Sequence, residues 1–469
     1  MELKIHDQEI LLQKLWKSRK LFSSPLTTST GQTVEVIFAG LENIDAGPDF
    51  QDAVLKIDGR LIKGDIEVHL NVSGWYEHGH HRDAKYNRVV LHLTAEPVEK
   101  DSTVEREDGV RVPQIYVDLK NYYTLPSTKK SETKSDRDNL IVENCPLSKT
   151  KPAQIMQTIQ IAGEKRLLEK VDRFREELTH TNWDQLIYQH IMEALGYSKN
   201  EAPFRRLARL ISFHLICREM QWVPEEMAIK KCAALLFGGA GLLPSQIQAA
   251  QNILDSDTVE YIGPIEFLWD QLSHHLEIKP MKAKDWQFFR LRPQNFPTRR
   301  IAGMVQIVNK FYRTGFLDGF LHIFKGNEDN KAIINELESS LMVPARGYWH
   351  QHYRFDESLR EALPKKSTAL IGRDRVRDIV VNIVLPVLYL YGENSQDGKL
   401  QNRVKEIYVK FPKLSENSIT RAMQVQLFGR MVKGVIQNSQ QQQGLIFLHK
   451  LFCRSLKCDE CLNLTRSNV

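Results

Sequence analysis

Residues 64–70 read Gly64-Asp65-Ile66-Glu67-Val68-His69-Leu70, a strict alternation of polar and apolar side chains. A strand turns successive side chains to opposite faces, so Asp65, Glu67 and His69 share one face and Ile66, Val68 and Leu70 the other. A helix would scatter both sets around its axis, so this stretch commits the region to a sheet. By itself such alternation describes a half-exposed strand with a solvated polar face. The preceding run changes its meaning. Gly47-Pro48-Asp49 opens another strand pattern, and Asp58-Gly59 between the two is a hairpin signal. The hairpin carries the Asp49 carboxylate beside Glu67, and two converging carboxylates near a further polar group suit Mg²⁺ or Mn²⁺. Such a metal would activate water and stabilise charge on a phosphodiester.

Working outward, strand patterns cover 33–38, 53–57, 64–70, 89–94 and 112–119, with Gly40, Gly47-Pro48, Asp58-Gly59 and Gly74 as turns. Helical spacing over 2–22 opens the chain. Residues 124–140 are polar and read as a linker. Beyond them helical patterns dominate, over 153–178, 183–195, 203–218, 224–237, 282–291 and 299–312, with no repeat period. The Gln440–Gln443 run reads as a polar loop or helix terminus. The expected class is α+β: an α/β module over 1–123, the linker over 124–140 and a helical region over 141–469 ending in a cysteine cluster.

A chain of 469 residues suggests about three domains. With 42% hydrophobic and 26% charged residues, global disorder and disulfide-stapled miniproteins are excluded. A net charge of +6 permits a nucleic-acid partner without demanding one. The charged N-terminus has no apolar core, so no signal peptide is expected. The longest apolar stretch, 379–391, holds 13 residues and includes Asn382 and Pro386. A bilayer span needs about 20, so a buried helix, no membrane and a cytoplasmic location are expected.

Pro48-Asp49 followed, after 17 residues, by Glu67-Val68-His69 resembles the PD-(D/E)XK nuclease signature with histidine in the lysine position. The resemblance implies a helix, three strands, a helical stretch and a further strand. It also implies Asp49 and Glu67 as metal ligands, with His69 orienting or deprotonating the attacking water. Glu9 sits where many members carry an extra acid, with Glu2 as the alternative, and Tyr86 resembles the helix tyrosine of exonuclease-like members. Imidazole can act as a base near neutral pH but lacks lysine's permanent charge. The implied activity is metal-dependent cleavage of DNA or RNA. The alternative is a nucleic-acid-binding or scaffold protein that keeps the fold without cutting. A longer match joins Gly47 to Phe50, Gly64 to His69, Trp75, His78 to Asp83, Tyr86, Val90 to Leu93, Trp183 to Tyr197, Arg292 to Ile301 and the terminal cysteines. It resembles an uncharacterised bacterial family, familiar from Bacteroidetes and catalogued only as a domain of unknown function.

His78, His80 and His81 with Asp83 offer a zinc-hydrolase reading. Gly79 favours a surface turn instead, whose histidines would flank a nuclease cleft and assist proton transfer. The tail Cys453-Arg454-Ser455-Leu456-Lys457-Cys458-Asp459-Glu460-Cys461 has metal-knuckle spacing. Its fourth ligand is Cys145 or His449, and its metal zinc or a [4Fe–4S] cluster. The cluster reading is similar to the clasps of some PD-(D/E)XK relatives, where the lone cysteine precedes the catalytic motifs; Cys145 follows them. Cys217 and Cys232 read as buried fillers. Over residues 288–300, Arg290, Arg292, Arg299 and Arg300 among aromatic rings suit a nucleic acid. A Pro-bent connection whose arginines bond helix carboxyl ends explains the same residues.

Overall fold

The computed structural model describes residues 5–464 except 19–20, 22–24, 44–46, 120–144, 248–253, 327–328, 356–368, 430–433 and 456. The linker expected over 124–140 lies outside the described residues. The chain forms two compact units, one joining Met1–Gly163, Glu416–Ile436 and Gln441–Val469, the other joining Glu164–Ser415 and Gln437–Gln440. Helices near the C-terminus, which the sequence pattern groups with the helical region, thus belong to the same unit as the sheet.

In the first unit, helix α1 (Ile5–Lys17) precedes strands β1 (Leu26–Thr27), β2 (Thr33–Phe38), β3 (Leu41–Glu42), β4 (Phe50–Ile57) and β5 (Arg60–His69). Helix α2 (Ser73–Glu77) leads to β6 (Val89–Thr94), β7 (Thr103–Glu105) and β8 (Arg111–Tyr116). The sheet order is β1-β2-β4-β5-β6-β8-β7, with β3 beside β4. Asp58 at φ 46° and Gly59 at φ 81° give the hairpin two left-handed residues in succession, the backbone that matches strand twist. The β2–β4 and β4–β5 pairs are antiparallel, whereas β5–β6 and β6–β8 are parallel. A parallel pair needs a crossover, and α2 with the single turns His80–Arg82 and Ala84–Tyr86 supplies it between β5 and β6.

Register decides what this sheet can do. Phe50 pairs with Ile66, Glu67 with His92, and His92 with Gln114. Paired residues share a face, so Asp49, one step before Phe50, heads a polar row that runs through Glu67, His92 and Gln114. Ile66, Val68, Leu91 and Leu93 pack in one cluster with Leu12, Leu15 and Trp16 of α1. The Trp16 indole donates to Ala39 O at 2.9 Å, fixing how the helix lies. A separate small core in this unit joins Leu147, Ile155 and Ile159 to Met423, Leu445 and Leu448. Gln441, Gln442 and Gln443 are buried in the helix Ser439–Leu451.

The second unit is helical. Trp183–Leu195 forms where expected, with Asn182 accepting from Gln185 N at 2.9 Å as its N-cap. The pattern over 203–218 divides into Tyr197–Leu210 and Phe213–Met220, because Ser212 caps a new helix through Leu215 N at 3.2 Å. No α-helix forms over 282–291, only the single 3-10 turn Ala283–Asp285. Asn200 holds the Gln287 backbone through both its N–H and its carbonyl, each at 2.9 Å, and so competes with helical bonding. The apolar stretch 379–391 is a buried helix with a wide turn at Val380–Val384 ahead of Pro386, which has no N–H to give. Glu225–Gln246 is apolar and long enough to cross a membrane by composition, and 72% of its most apolar window is buried.

Buried His190 in this unit carries a pH prediction. Its Nε2 lies 2.8 Å from Glu177 Oε2 and its Nδ1 3.2 Å from Glu193 Oε2. Burial opposes its charge, but the two carboxylates more than offset that and hold the imidazole above its usual range. A raised folded value stabilises fully below the unfolded value of about 6.5 and is lost as pH rises through the folded one. The stability gap between the native protein and His190→Gln should therefore be largest at pH 5.5 and shrink towards pH 9. Urea melts check this, and a gap that does not change with pH refutes the pairing.

Candidate metal centre

Gly47 adopts φ 121°, which side chains disfavour, and this bend delivers Asp49 to the head of β4. The two acids then brace each other's strands. Asp49 N donates to Glu67 Oε2 and Val68 N donates to Asp49 Oδ2, both at 3.0 Å. Gln13 on α1 donates to Asp49 Oδ1 at 3.0 Å. Burial, reinforced by the Glu67 charge, pushes the Asp49 carboxyl up to about 8. Burial likewise pushes Glu67 to about 8, and Glu9 adds its negative field to both.

Three imidazoles converge on the same acids. His80 Nε2 is 3.1 Å and His69 Nε2 3.7 Å from Glu67 Oε1, while His78 Nδ1 is 3.1 Å from His69 Nε2. Among the described residues, His69, His78 and His80 form the group whose ligand atoms all lie within 4.8 Å of one another. Ligands around a tetrahedral zinc stand roughly 3.4 Å apart, so little closing is needed. His80 Nε2 is buried, and although Glu67 Oε1 stands 3.1 Å away it is not aligned for a hydrogen bond, which leaves the nitrogen available to a cation beside that carboxylate. Tyr86 stacks on the His80 ring at 3.7 Å and fixes its plane. Gly74 lies against His69, and a methyl there would stand 2.8 Å from the ring.

A further layer fixes His69. Its Nδ1 contacts His92 Nε2 at 2.9 Å, and His92 Nδ1 contacts the Gln114 amide at 3.0 Å. Ser102 Oγ donates to that amide's oxygen at 2.7 Å. Burial, and then the neighbouring imidazoles, push His69 down to about 2 and His92 to about 3. Both rings are therefore neutral and keep a lone pair. Such chains orient metal-binding histidines and set their tautomers.

The structure thus gathers Asp49, Glu67, His69, His78, His80 and Tyr86, with Glu9 acting through its field. His81 packs on Tyr76, and Asp83 accepts from Lys85 N at 3.0 Å as a turn cap, so neither joins the grouped ligands. Asp65 serves the bulge between Phe50 and Ala53: it accepts from Asp52 N at 2.8 Å and lies 3.6 Å from Arg88. His92, Gln114 and Gln13 are neighbours of the candidate centre that the motif does not name. Only His92 leaves a trace in sequence, as an imidazole inside the run Val89–Thr94.

Two of the four arginines expected at a nucleic acid are internal. Arg299 is 1% exposed and donates to Trp349 O and His352 O, and Arg300 is 5% exposed and donates to Leu370 O, Tyr197 Oη and Asn295 Oδ1. Guanidinium groups occupied by internal acceptors present no face to phosphate, which corrects that expectation and matches the Pro-bent connection. Arg290 and Arg292 are exposed. Cys145, Cys453, Cys458 and Cys461 line one pocket, whose lining does not include His449. Cys232 is fully buried and Cys217 packs against the same helical core.

Fold and site together define a mixed α+β protein whose sheet carries a buried carboxylate–imidazole centre. The chain belongs to the family described as Protein of unknown function (DUF2851), whose model matches residues 9–417. That span contains every residue of the centre and ends before the three C-terminal cysteines. No curated protein and no solved structure matches the chain.

Proposed function

We propose that this protein is a metal-dependent nuclease that hydrolyses phosphodiester bonds of DNA or RNA. The observation that carries the reading is the pair Asp49 and Glu67, held at adjoining strand positions by each other's backbone and facing the imidazoles of His69 and His80. Buried like charges oppose one another, and a divalent cation is the direct remedy. The order of elements lends support: α1, the antiparallel β2, β4 and β5, a helical crossover and the parallel β6 resemble the PD-(D/E)XK core.

Asp49, Glu67 and the imidazoles of His69 and His80 would hold the cation. Nitrogen donors beside carboxylates favour Mn²⁺ or Zn²⁺ over Mg²⁺. When bound, the cation would supply positive charge to the phosphoryl oxygens and make a water more acidic. His69, kept neutral and oriented by His92, positions rather than deprotonates. His78, the exposed imidazole of the trio, would take the proton from the attacking water. Exposed Arg290, 5.2 Å from the centroid of the exposed Phe289 ring, is a guanidinium–aromatic pair of the kind that stacks on bases, and Arg292 adds charge beside it.

The test uses labelled single- and double-stranded DNA and RNA with Mg²⁺, Mn²⁺ or Zn²⁺. Cleavage is expected with Mn²⁺, lost with EDTA, and lowered about 10²–10⁴-fold in His78→Ala. Absence of cleavage under every metal overturns the reading, and binding without cleavage marks the non-catalytic alternative.

A further inference from the structure

The second unit holds a cavity of about 550 Å³ against the helix Ser256–His275, within the size range of small-molecule sites. The cavity lies wholly inside that unit and shares no residue with the carboxylate–imidazole centre. Part of its lining is apolar, from Ile229, Ala233, Pro264 and Ile265. Part is a column of near-parallel rings. Tyr261 stacks on Tyr348 with centroids 4.4 Å apart at 3°, and Tyr348 stacks on His352 at 3.9 Å and 8°. Hydrogen bonds hold the column in place. Trp349 Nε1 donates to Tyr261 Oη and His352 Nδ1 donates to Tyr348 O, both at 2.9 Å. The lining is therefore built in advance, and little ordering is left for a ligand to impose.

Charge decides what such a cavity takes. Lys230 reaches it but is held by Glu226, 2.6 Å away, and His352 Nε2 lies 3.2 Å from Asp255 Oδ2. These pairs leave the lining carboxylates of Asp257 and Glu260 in excess. Asp257 accepts from Ser256 Oγ at 3.5 Å, and the Glu260 carboxylate has no hydrogen bond or ion pair among the described residues. Two carboxylates repel phosphate and carboxylate ligands. A metal ion does not suit them either. Among the described residues neither belongs to a group of three ligand atoms within 4.8 Å, and the space far exceeds one ion. An ammonium group on a hydrocarbon chain satisfies the whole lining, with charge on the carboxylates and over a ring face and methylenes on the apolar side chains. We propose that this cavity binds a small aliphatic di- or polyamine, its ammonium groups on Asp257 and Glu260 and its methylenes against Ile229, Pro264, Ile265 and the Tyr261 ring.

The proposal stands apart from the nuclease reading, because it is read with EDTA present and without nucleic acid. Full-length protein would be titrated calorimetrically at low salt with putrescine, spermidine, adenosine monophosphate and an oligolysine peptide. One saturable spermidine site per chain is expected, weakening as salt is added. Glu260→Gln and Asp257→Asn, at exposed positions, should each weaken it at least about tenfold while melting normally. Asp270→Asn, on the same helix but outside the cavity, should bind as the native protein does. If Asp257→Asn loosens the start of the helix, Glu260→Gln alone still decides. Absence of a saturable site overturns the proposal, and so does an equal loss in Asp270→Asn, which would mean attraction to an acidic surface only. Preference for adenosine monophosphate, or binding of oligolysine without spermidine, overturns it as well.

Discussion

Glu67→Gln is expected to make the metal-free protein more stable at alkaline pH while removing metal-dependent cleavage. Glu67 is 5% exposed and shares its surroundings with Asp49 and Glu9. Its folded carboxyl, raised to about 8 from 4.5, keeps a proton that the unfolded chain releases. The folded state thus binds more protons, and stability falls as pH rises from about 4.5 through about 8. Glutamine retains the shape and the oxygen that accepts from Asp49 N, without the charge. Replacing a buried charge in this way should gain about 1–3 kcal/mol at pH 9 and little at pH 5. Cleavage should fall at least about 10²–10³-fold, because the developing charge loses its support. Mn²⁺ should raise the melting temperature of the native protein by mass action and leave the variant unmoved. Thermal melts with EDTA or Mn²⁺ at both pH values read all of this. A variant less stable at every pH would make Glu67 a structural acceptor and remove the centre.

What was legible in the sequence was whatever depends on neighbours along the chain. Alternation over 64–70 marked the central strand, and the runs 33–38 and 89–94 coincide with β2 and β6. Asp58-Gly59 specified its own turn through two left-handed residues. Which side chains come together was legible where a motif spans one hairpin, as with Asp49, Glu67 and His69 of the candidate centre. His92 and Gln114 were hidden because they reach the site through register: Glu67 meets His92 and His92 meets Gln114 only once two crossovers have aligned three strands. Helical spacing over 282–291 misled for the same reason, since the Asn200 side chain that holds Gln287 lies far away in sequence. Charge was the least legible property. Arg290 and Arg300 look alike in a basic run, yet one is exposed and the other is enclosed by acceptors.

That difference yields the second large effect, in Arg300→Met. Arg300 is 5% exposed, and its guanidinium gives hydrogen bonds to Leu370 O, Tyr197 Oη and Asn295 Oδ1 while lying 5.1 Å from the Tyr197 ring centroid. Methionine fills similar volume but donates nothing, so a carbonyl and an amide oxygen lose the donor that satisfied them. Burial holds the Arg300 pKa below its ordinary value, so removing the charge returns part of a desolvation cost. Three charged hydrogen bonds outweigh that return, and a loss of about 2–4 kcal/mol is expected. Arg290→Ala and Arg292→Ala, at exposed positions, should change stability by no more than about 0.5 kcal/mol. If these two residues carry phosphate contacts, their variants weaken nucleic-acid binding and flatten its salt dependence while melting normally. Arg300→Met should do the reverse, with a lower urea midpoint and an unchanged salt slope in whatever fraction remains folded. Urea denaturation beside binding titrations at two salt concentrations separates the roles. A normal melt with weakened binding in Arg300→Met would return that arginine to the nucleic-acid surface.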